Sequence, residues 1–346
     1  MRMELGTKNV VRLGMAMVLL VSCLVGGLAS TVSARSVSPS ESSATPPPDQ
    51  GATELPGVVA GDMVTIDTAE GGLGAVAPQP GDVVDGSADT FTGGSYEITV
   101  ETLKDGTVTA SFRKDGLPMT VVTGPAGNLE AQPSQQPATS SVSNLAPRNP
   151  DDPECVDDEH GQDSDRHWNS TMHWYWDRDS TPGYLDNDKV EADLRAAVTN
   201  ITHENNNCDR PDTVSATASF EGYASDGPEI SPLAQCGTND GKSDIGWGSL
   251  NYLGYTCNWG DPRTASDVKL DNNGAHWTTG ACAGQPNPTY YVEGITTHER
   301  GHTWNLWDLG GPHANLTMGG ANGQCGLPDQ KQTLGLGDMK GLEVNY

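Results

Sequence analysis

Positive charge is scarce in this chain: 19 Lys and Arg stand against 46 Asp and Glu in 346 residues, a formal net charge of −27. A protein that grips nucleic acid through a broad basic surface is therefore excluded. Aromatic residues amount to only 6%, with three phenylalanines, while 42 glycines and 23 prolines point to long irregular stretches. The shortage is uneven, because all eight tryptophans, 17 of the 20 aromatic residues and six of the seven cysteines follow Asp152. The packed domain is expected in the C-terminal half. No CxxC pair and no internal repeat occurs, and the apolar run from Leu13 to Leu28 has 16 residues where a membrane helix needs roughly 20.

That apolar run has the layout of an export signal. Arg2, Lys8 and Arg12 precede it, and Val32-Ser33-Ala34 supplies small residues at a cleavage point after Ala34. Leu20-Val21-Ser22-Cys23 also resembles a lipobox, so a lipoprotein anchored through Cys23 is the alternative. Cleavage after Ala34 leaves 16 basic and 45 acidic residues and six cysteines, Cys155, Cys208, Cys236, Cys257, Cys282 and Cys325. An even set in an exported chain implies up to three disulfides, with the pairing open. A secreted monomer without a stable membrane span is the expectation.

Composition divides the rest. Residues 35–56 are a Ser/Pro-rich linker, 57–125 a small β-rich region, 126–150 a second linker and 151–346 the main domain. From Tyr96 to Val122, three alternating segments separated by Lys-Asp-Gly read as a β-meander. Met172–Trp176, Val214–Phe220, Asp244–Trp247 and Ala265–Leu270 read as strands. Lys189–Ile201 reads as a helix capped by Asn187 or Asp188, and Val292–Trp304 as a second helix before a loop-rich end. The fold class is α/β or α+β with a mixed, twisted sheet. Ala265–Leu270 is expected at the sheet's edge, where an extended peptide could add a strand.

Chemistry concentrates in His298-Glu299-Arg300-Gly301-His302. On a helix, this HExxH spacing puts two imidazoles one turn apart on one face, close enough to share a zinc ion, with Glu299 beside them as a general base. Zinc lowers the pKa of its water toward about 7, and a carboxylate there takes the proton as a polarised carbonyl is attacked. The ordinary alternative is an amphipathic helix with two solvated histidines. Asp308 follows His302 by six residues, and Asn305 stands between them where the chain must turn back, a position that favours left-handed backbone. Asp308 is the expected third ligand; His313, beyond Gly310-Gly311-Pro312, is the alternate.

The stretch HERGHTWNLWD resembles the metzincin signature HExxHxxGxxH, with Asn305 for Gly and Asp308 for the third His. An Asp in that place resembles the small secreted neutral proteases of the snapalysin type. Leu316-Thr317-Met318 looks like the metzincin Met-turn, and the ending TLGLGDMKGLEVNY, with VSATASF and NLTMGG, resembles secreted matrixin-like proteases of actinobacteria. The resemblance is specific over 292–346, looser over 155–291 and absent before 150. It implies a metzincin-like zinc protease domain in which His298, His302 and Asp308 bind Zn2+, Glu299 is the base and Met318 lies beneath the site. It further implies protein or peptide substrates and a propeptide in 35–150, for which a retained accessory region is the alternative. Gly320 stands where some metzincins place a tyrosine, and with no cysteine between Cys23 and Cys155 a cysteine-based latency is excluded.

The remaining candidates are weaker. His160, His167, His173, His203 and His276 read as surface or core residues, Trp304 and Trp307 as core or cleft lining, and the acidic run 157–166 as solvated. Asn239, Asp240 and Asp244 are a candidate Ca2+ site, with a solvated acidic turn as the alternative. The expected activity is zinc-dependent peptide hydrolysis; the rival is a catalytically silent, zinc-stabilised secreted binding protein.

Overall fold

The computed structural model describes residues 52–123, 129–133, 152–162, 166–280, 285–286, 288–320, 323–325 and 332–346. Residues 1–34, expected to be an export signal, with Cys23, most of both expected linkers and Cys282 lie outside the described residues. The N-terminal strands are β1 (Thr53–Glu54), β2 (Met63–Asp67), β3 (Gly72–Val76), β4 (Asp82–Asp89), β5 (Ser95–Thr102), β6 (Val108–Lys114), β7 (Leu117–Thr123) and β8 (Leu129–Pro133). β5, β6 and β7 are the meander, joined at the two Asp-Gly turns. Then follow α1 (Pro153–Val156), β9 (Met172–Trp176), α2 (Asn187–Thr202), β10 (Ala218–Tyr223), β11 (Gln235–Cys236), β12 (Asp244–Gly248), β13 (Gly254–Trp259), β14 (Ala265–Asp271), β15 (His276–Thr278), β16 (Thr289–Tyr291), α3 (Val292–Thr303) and α4 (Leu336–Asn345).

The fold is mixed α/β. β10, β9, β12 and β14 lie side by side and parallel, and β13 joins β14 antiparallel. On its other edge β13 pairs antiparallel with β4, so the N-terminal strands continue the same sheet. One side carries α2 and α3, which pack on each other over Trp174, Ile245, Val268 and Leu270. A second core joins Val64, Ile66, Val100 and Phe112 to Tyr252, Tyr255 and Trp259, so residues from both parts of the chain share it. No helix among the described residues is long and apolar enough to cross a membrane.

Ala265–Leu270 is not an edge strand: β14 has β12 on one side and β13 on the other. Two of its polar residues anchor loops inside the protein. Buried Asp267 accepts the backbone N–H groups of Asp244 (2.9 Å) and Glu229 (2.6 Å), and buried Asp271 accepts those of Leu250 (3.0 Å) and Ala275 (2.9 Å). Other boundaries move less. The cap of α2 is Asp186, which accepts the N–H of Asp188 at 3.0 Å, and the strand expected from Val214 begins at Ala218. The C-terminal end is not all loop, since α4 closes it. Cys155–Cys208 and Cys236–Cys257 are disulfides.

Candidate metal centre

Helix α3 is buried at every position but Glu293, which its almost patternless sequence conceals. His298 and His302 sit one turn apart, with their Nε2 atoms 3.2 Å from each other. The helix ends as a Schellman turn. Asn305 adopts φ 71°, its N–H reaches the His302 carbonyl (2.9 Å) and the Leu306 N–H reaches the Gly301 carbonyl (3.0 Å). That turn brings Asp308 back: Oδ1 lies 3.1 Å from His298 Nε2, and Oδ2 lies 3.5 Å from His302 Nε2.

Both imidazoles are oriented from behind. His298 Nδ1 donates to the Thr317 carbonyl (2.7 Å) and His302 Nδ1 to the Leu306 carbonyl (2.9 Å), which leaves each Nε2 as a lone pair aimed into the centre. Thr317 is itself held, because Asp338 accepts the N–H groups of Thr317 (2.8 Å), Met318 (3.0 Å) and Gly335 (2.9 Å). Met318, buried, packs its sulfur against Gly301, between the two histidines, where a Cβ would collide with it.

Glu299 is fully buried on the neighbouring side, with its Oε2 taking the Thr256 hydroxyl and its Oε1 resting against Gly254, where a side chain would displace it. Oε1 has no hydrogen-bond partner. Burial, and then the charge of Asp89, push its pKa well above the usual carboxylate range. Burial pushes His302 down. For Asp308 burial acts upward, but His302 and His298 outweigh it and hold the carboxyl low. For His298 burial acts downward, and Asp89 and Asp308 outweigh it and raise its pKa above the ordinary imidazole value.

Three residues that sequence reasoning did not single out complete the centre, all from the N-terminal strands. Asp89 Oδ2 is 2.9 Å from His298 Nε2. The Ser87 hydroxyl donates to Asp308 Oδ2 (3.2 Å) and lies 3.1 Å from His302 Nε2. Glu97 Oε1 accepts the Asp308 N–H at 2.8 Å. The period-two spacing of Asp85, Ser87 and Asp89 in β4, against Val84, Gly86 and Ala88, was the available signal: a polar strand face must meet a polar partner.

The donor set can hold a metal ion. A tetrahedral ion with N and O ligands at 2.0–2.1 Å separates its ligand atoms by about 3.3 Å, and the separations above bracket that value. Among the described residues, Asp89 with His298 and His302, and Glu97 with His302 and Asp308, form buried groups of suitable spacing. The third such group, Glu154 with Cys155 and Cys208, has its sulfurs in a disulfide.

His313, the alternate ligand, belongs to none of these groups; its Nδ1 lies 3.0 Å from both carboxylate oxygens of Asp157. The acidic run is thus not merely solvated, for Asp158 also binds Lys340 at 2.6 Å. Trp304 is core, while half-buried Trp307 stacks under the Arg113 guanidinium at 3.4 Å. At the candidate calcium turn, Asn239 and Asp240 accept backbone N–H groups of Gly241 and Lys242, and Asp240 pairs with the Lys242 ammonium. Buried Asp244 leaves both oxygens without a partner, but no cluster of three ligand groups forms there among the described residues. His160, His167, His173, His203 and His276 stand in no such cluster either.

A scan of protein-family models and a search of curated proteins returned no match to this chain.

Proposed function

We propose that the protein is a zinc-dependent endopeptidase of the metzincin type, with His298, His302 and Asp308 as metal ligands and Glu299 as general base. One observation carries the reading. Two imidazole lone pairs and a carboxylate converge in a buried centre, both imidazoles are oriented by backbone carbonyls, and a second carboxylate stands beside them that is spare to the ligand set. Zinc suits nitrogen and oxygen donors at this spacing and, when bound, supplies a Lewis acid that polarises a carbonyl and acidifies water.

The chain's own residues do the rest. Thr256 fixes one oxygen of Glu299, and burial together with the charge of Asp89 keeps its proton affinity high enough to accept a proton during attack and return it to the leaving amine. Met318 gives the two histidines a rigid apolar floor. The test is casein hydrolysis and zinc content in wild type and Glu299→Ala, assayed intact and after limited proteolysis. Glu299→Ala should keep zinc and lose on the order of 10²- to 10⁴-fold in turnover. Wild-type turnover in that variant would rule the mechanism out.

A second reading, a silent zinc-stabilised binding protein, gains support from the crowding of the centre by Asp89 and Ser87, which resembles the closed shell of structural zinc. It requires that no processed form hydrolyse peptides.

A further inference from the structure

The side of α3 that faces the sheet carries a charge that nothing meets. Arg300 is 0% exposed, and none of its guanidinium nitrogens has an acceptor among the described residues. The guanidinium lies over the Trp174 ring, 5.4 Å from its centroid, which attracts the charge but leaves the N–H groups without an oxygen or nitrogen acceptor. The carboxylates around it are turned elsewhere. The Ser266 and Thr303 hydroxyls meet at 2.9 Å, so Ser266 and Val268 face α3 and Asp267 points to the opposite side of the sheet. Asp244 lies on that far side too, since Ile245, which pairs with Val268, belongs to the core beneath the helix. Glu299 is bound to Thr256, and Glu293, about two turns back, is held by Asn200 (3.2 Å) and Gln332 (2.9 Å).

Two further donors share this stripe. Thr296 and Trp304 stand one turn before and one turn after Arg300, both 0% exposed, and neither the Thr296 hydroxyl nor the Trp304 indole N–H has a partner among the described residues. A buried cation without a counter-charge is costly, and each buried N–H without an acceptor adds to the cost. Water answers this poorly, because it carries no charge and needs acceptors for its own hydrogens, whereas Arg300 and the Trp304 indole only donate. We propose that this stripe binds a compact monovalent anion of the halide class, chloride being the simplest, between α3 and the sheet, with Arg300 as its counter-charge and Thr296 and Trp304 beside it. Such an ion accepts hydrogen bonds from every side and cancels the guanidinium charge. It ties to the sheet the same turn of α3 that carries His298 and His302 on its other face. The site stands apart from the metal reading and requires no metal.

The test unfolds the full-length chain with urea in sodium chloride and in sodium gluconate of equal concentration, the gluconate anion being too large for the site. EDTA is present throughout, so that no metal offers the anion a second place. In wild type the midpoint should rise with chloride as binding of one ion requires: at about one hundred times the dissociation constant, the folded-to-unfolded ratio is about 100-fold higher than in gluconate. Arg300→Met, similar in length and uncharged, should lose this dependence. Crystals of wild type grown in bromide should give an anomalous peak in contact with the Arg300 guanidinium. Equal wild-type midpoints in the two salts, a chloride dependence that survives in Arg300→Met, or bromide found only at other places would overturn the proposal. If Arg300→Met does not fold, the wild-type titration and the bromide map still decide it. No arm reads metal content or hydrolysis, so this inference and the peptidase reading fail separately.

Discussion

The carboxylate of Asp338 holds Thr317 and Met318 by their N–H groups, and the Thr317 carbonyl in turn holds His298. The first turn of α4 thus sets the ring orientation of a metal-centre histidine. Asp338→Ala leaves three backbone N–H groups without their acceptor and should cost about 3 kcal/mol or more, at roughly 1–3 kcal/mol for each donor left buried. Zinc affinity should fall about tenfold or more with it. Denaturant midpoints and zinc competition titrations give both readouts, and an unchanged affinity would mean that the carbonyl keeps its place without Asp338.

Asp308→Ala and His313→Ala should separate cleanly in metal analysis. The first removes a carboxylate within 3.1 Å of His298 Nε2 and should abolish most zinc occupancy. The second removes a partner of Asp157 at the surface and should leave the metal in place. The reverse order would transfer the third ligand to His313.

Asp85, two residues before Ser87, ties β4 to the C-terminal part through Arg263 (2.5 Å) and Arg166 (2.8 Å). Burial works to raise its pKa, but the two guanidinium groups outweigh it and hold the carboxyl below the usual range. A depressed folded-state pKa gives stability that is present above the unfolded value, about 4, and is lost as pH falls through the folded one. Asp85→Ala should cost about 3–5 kcal/mol, because buried Arg263 loses its partner. The wild-type advantage over this variant should shrink below about pH 4. Urea midpoints at pH 7 and pH 3 measure both, and a pH-independent difference would argue against the ion pairs.

Asp244 behaves in the opposite sense. Burial, then the charges of Asp240 and Glu229, push its pKa up to about 7. The folded state then binds a proton that the unfolded state has released, so stability contributed by this group falls as pH rises from about 4 to about 7 and stays low above that. Asp244→Asn, which cannot ionise, should be nearly neutral at pH 5 and stabilising at pH 8. Thermal unfolding of both chains at the two pH values checks it; a larger gain at pH 5 would contradict the assignment.

The sequence was most legible where one residue pattern met one local geometry. HExxH needs only a helix, and Asn305 needs only a left-handed turn; both are observed as expected. The meander announced itself through alternation and Asp-Gly. Legibility failed where meaning depended on a distant partner. β13, buried at all six positions, has no period to read, and β14, expected at the edge, lies inside the sheet with Asp267 and Asp271 serving loops within the protein. α4 was hidden by Gly335, Gly337 and Gly341, which weaken the helical pattern. The alternation in β4 marks Asp89 as part of a polar face but not what that face meets: more than 200 residues separate Asp89 and Glu97 from the histidine and aspartate they approach, and only the β4–β13 pairing brings them there.

The shared core has a consequence for how the chain must be made. Tyr252, Tyr255 and Trp259 are covered by side chains from β3 to β6, and the backbone of β13 has its second partner in β4. A polypeptide starting near residue 152 would leave the ribosome with three large aromatic side chains and an unpaired strand edge turned to water, the surface through which β-proteins self-associate. The N-terminal strands should therefore be needed for the C-terminal part to fold. A C-terminal fragment expressed alone should aggregate, and co-expression of residues 35–133 as a separate chain should return it to the soluble fraction.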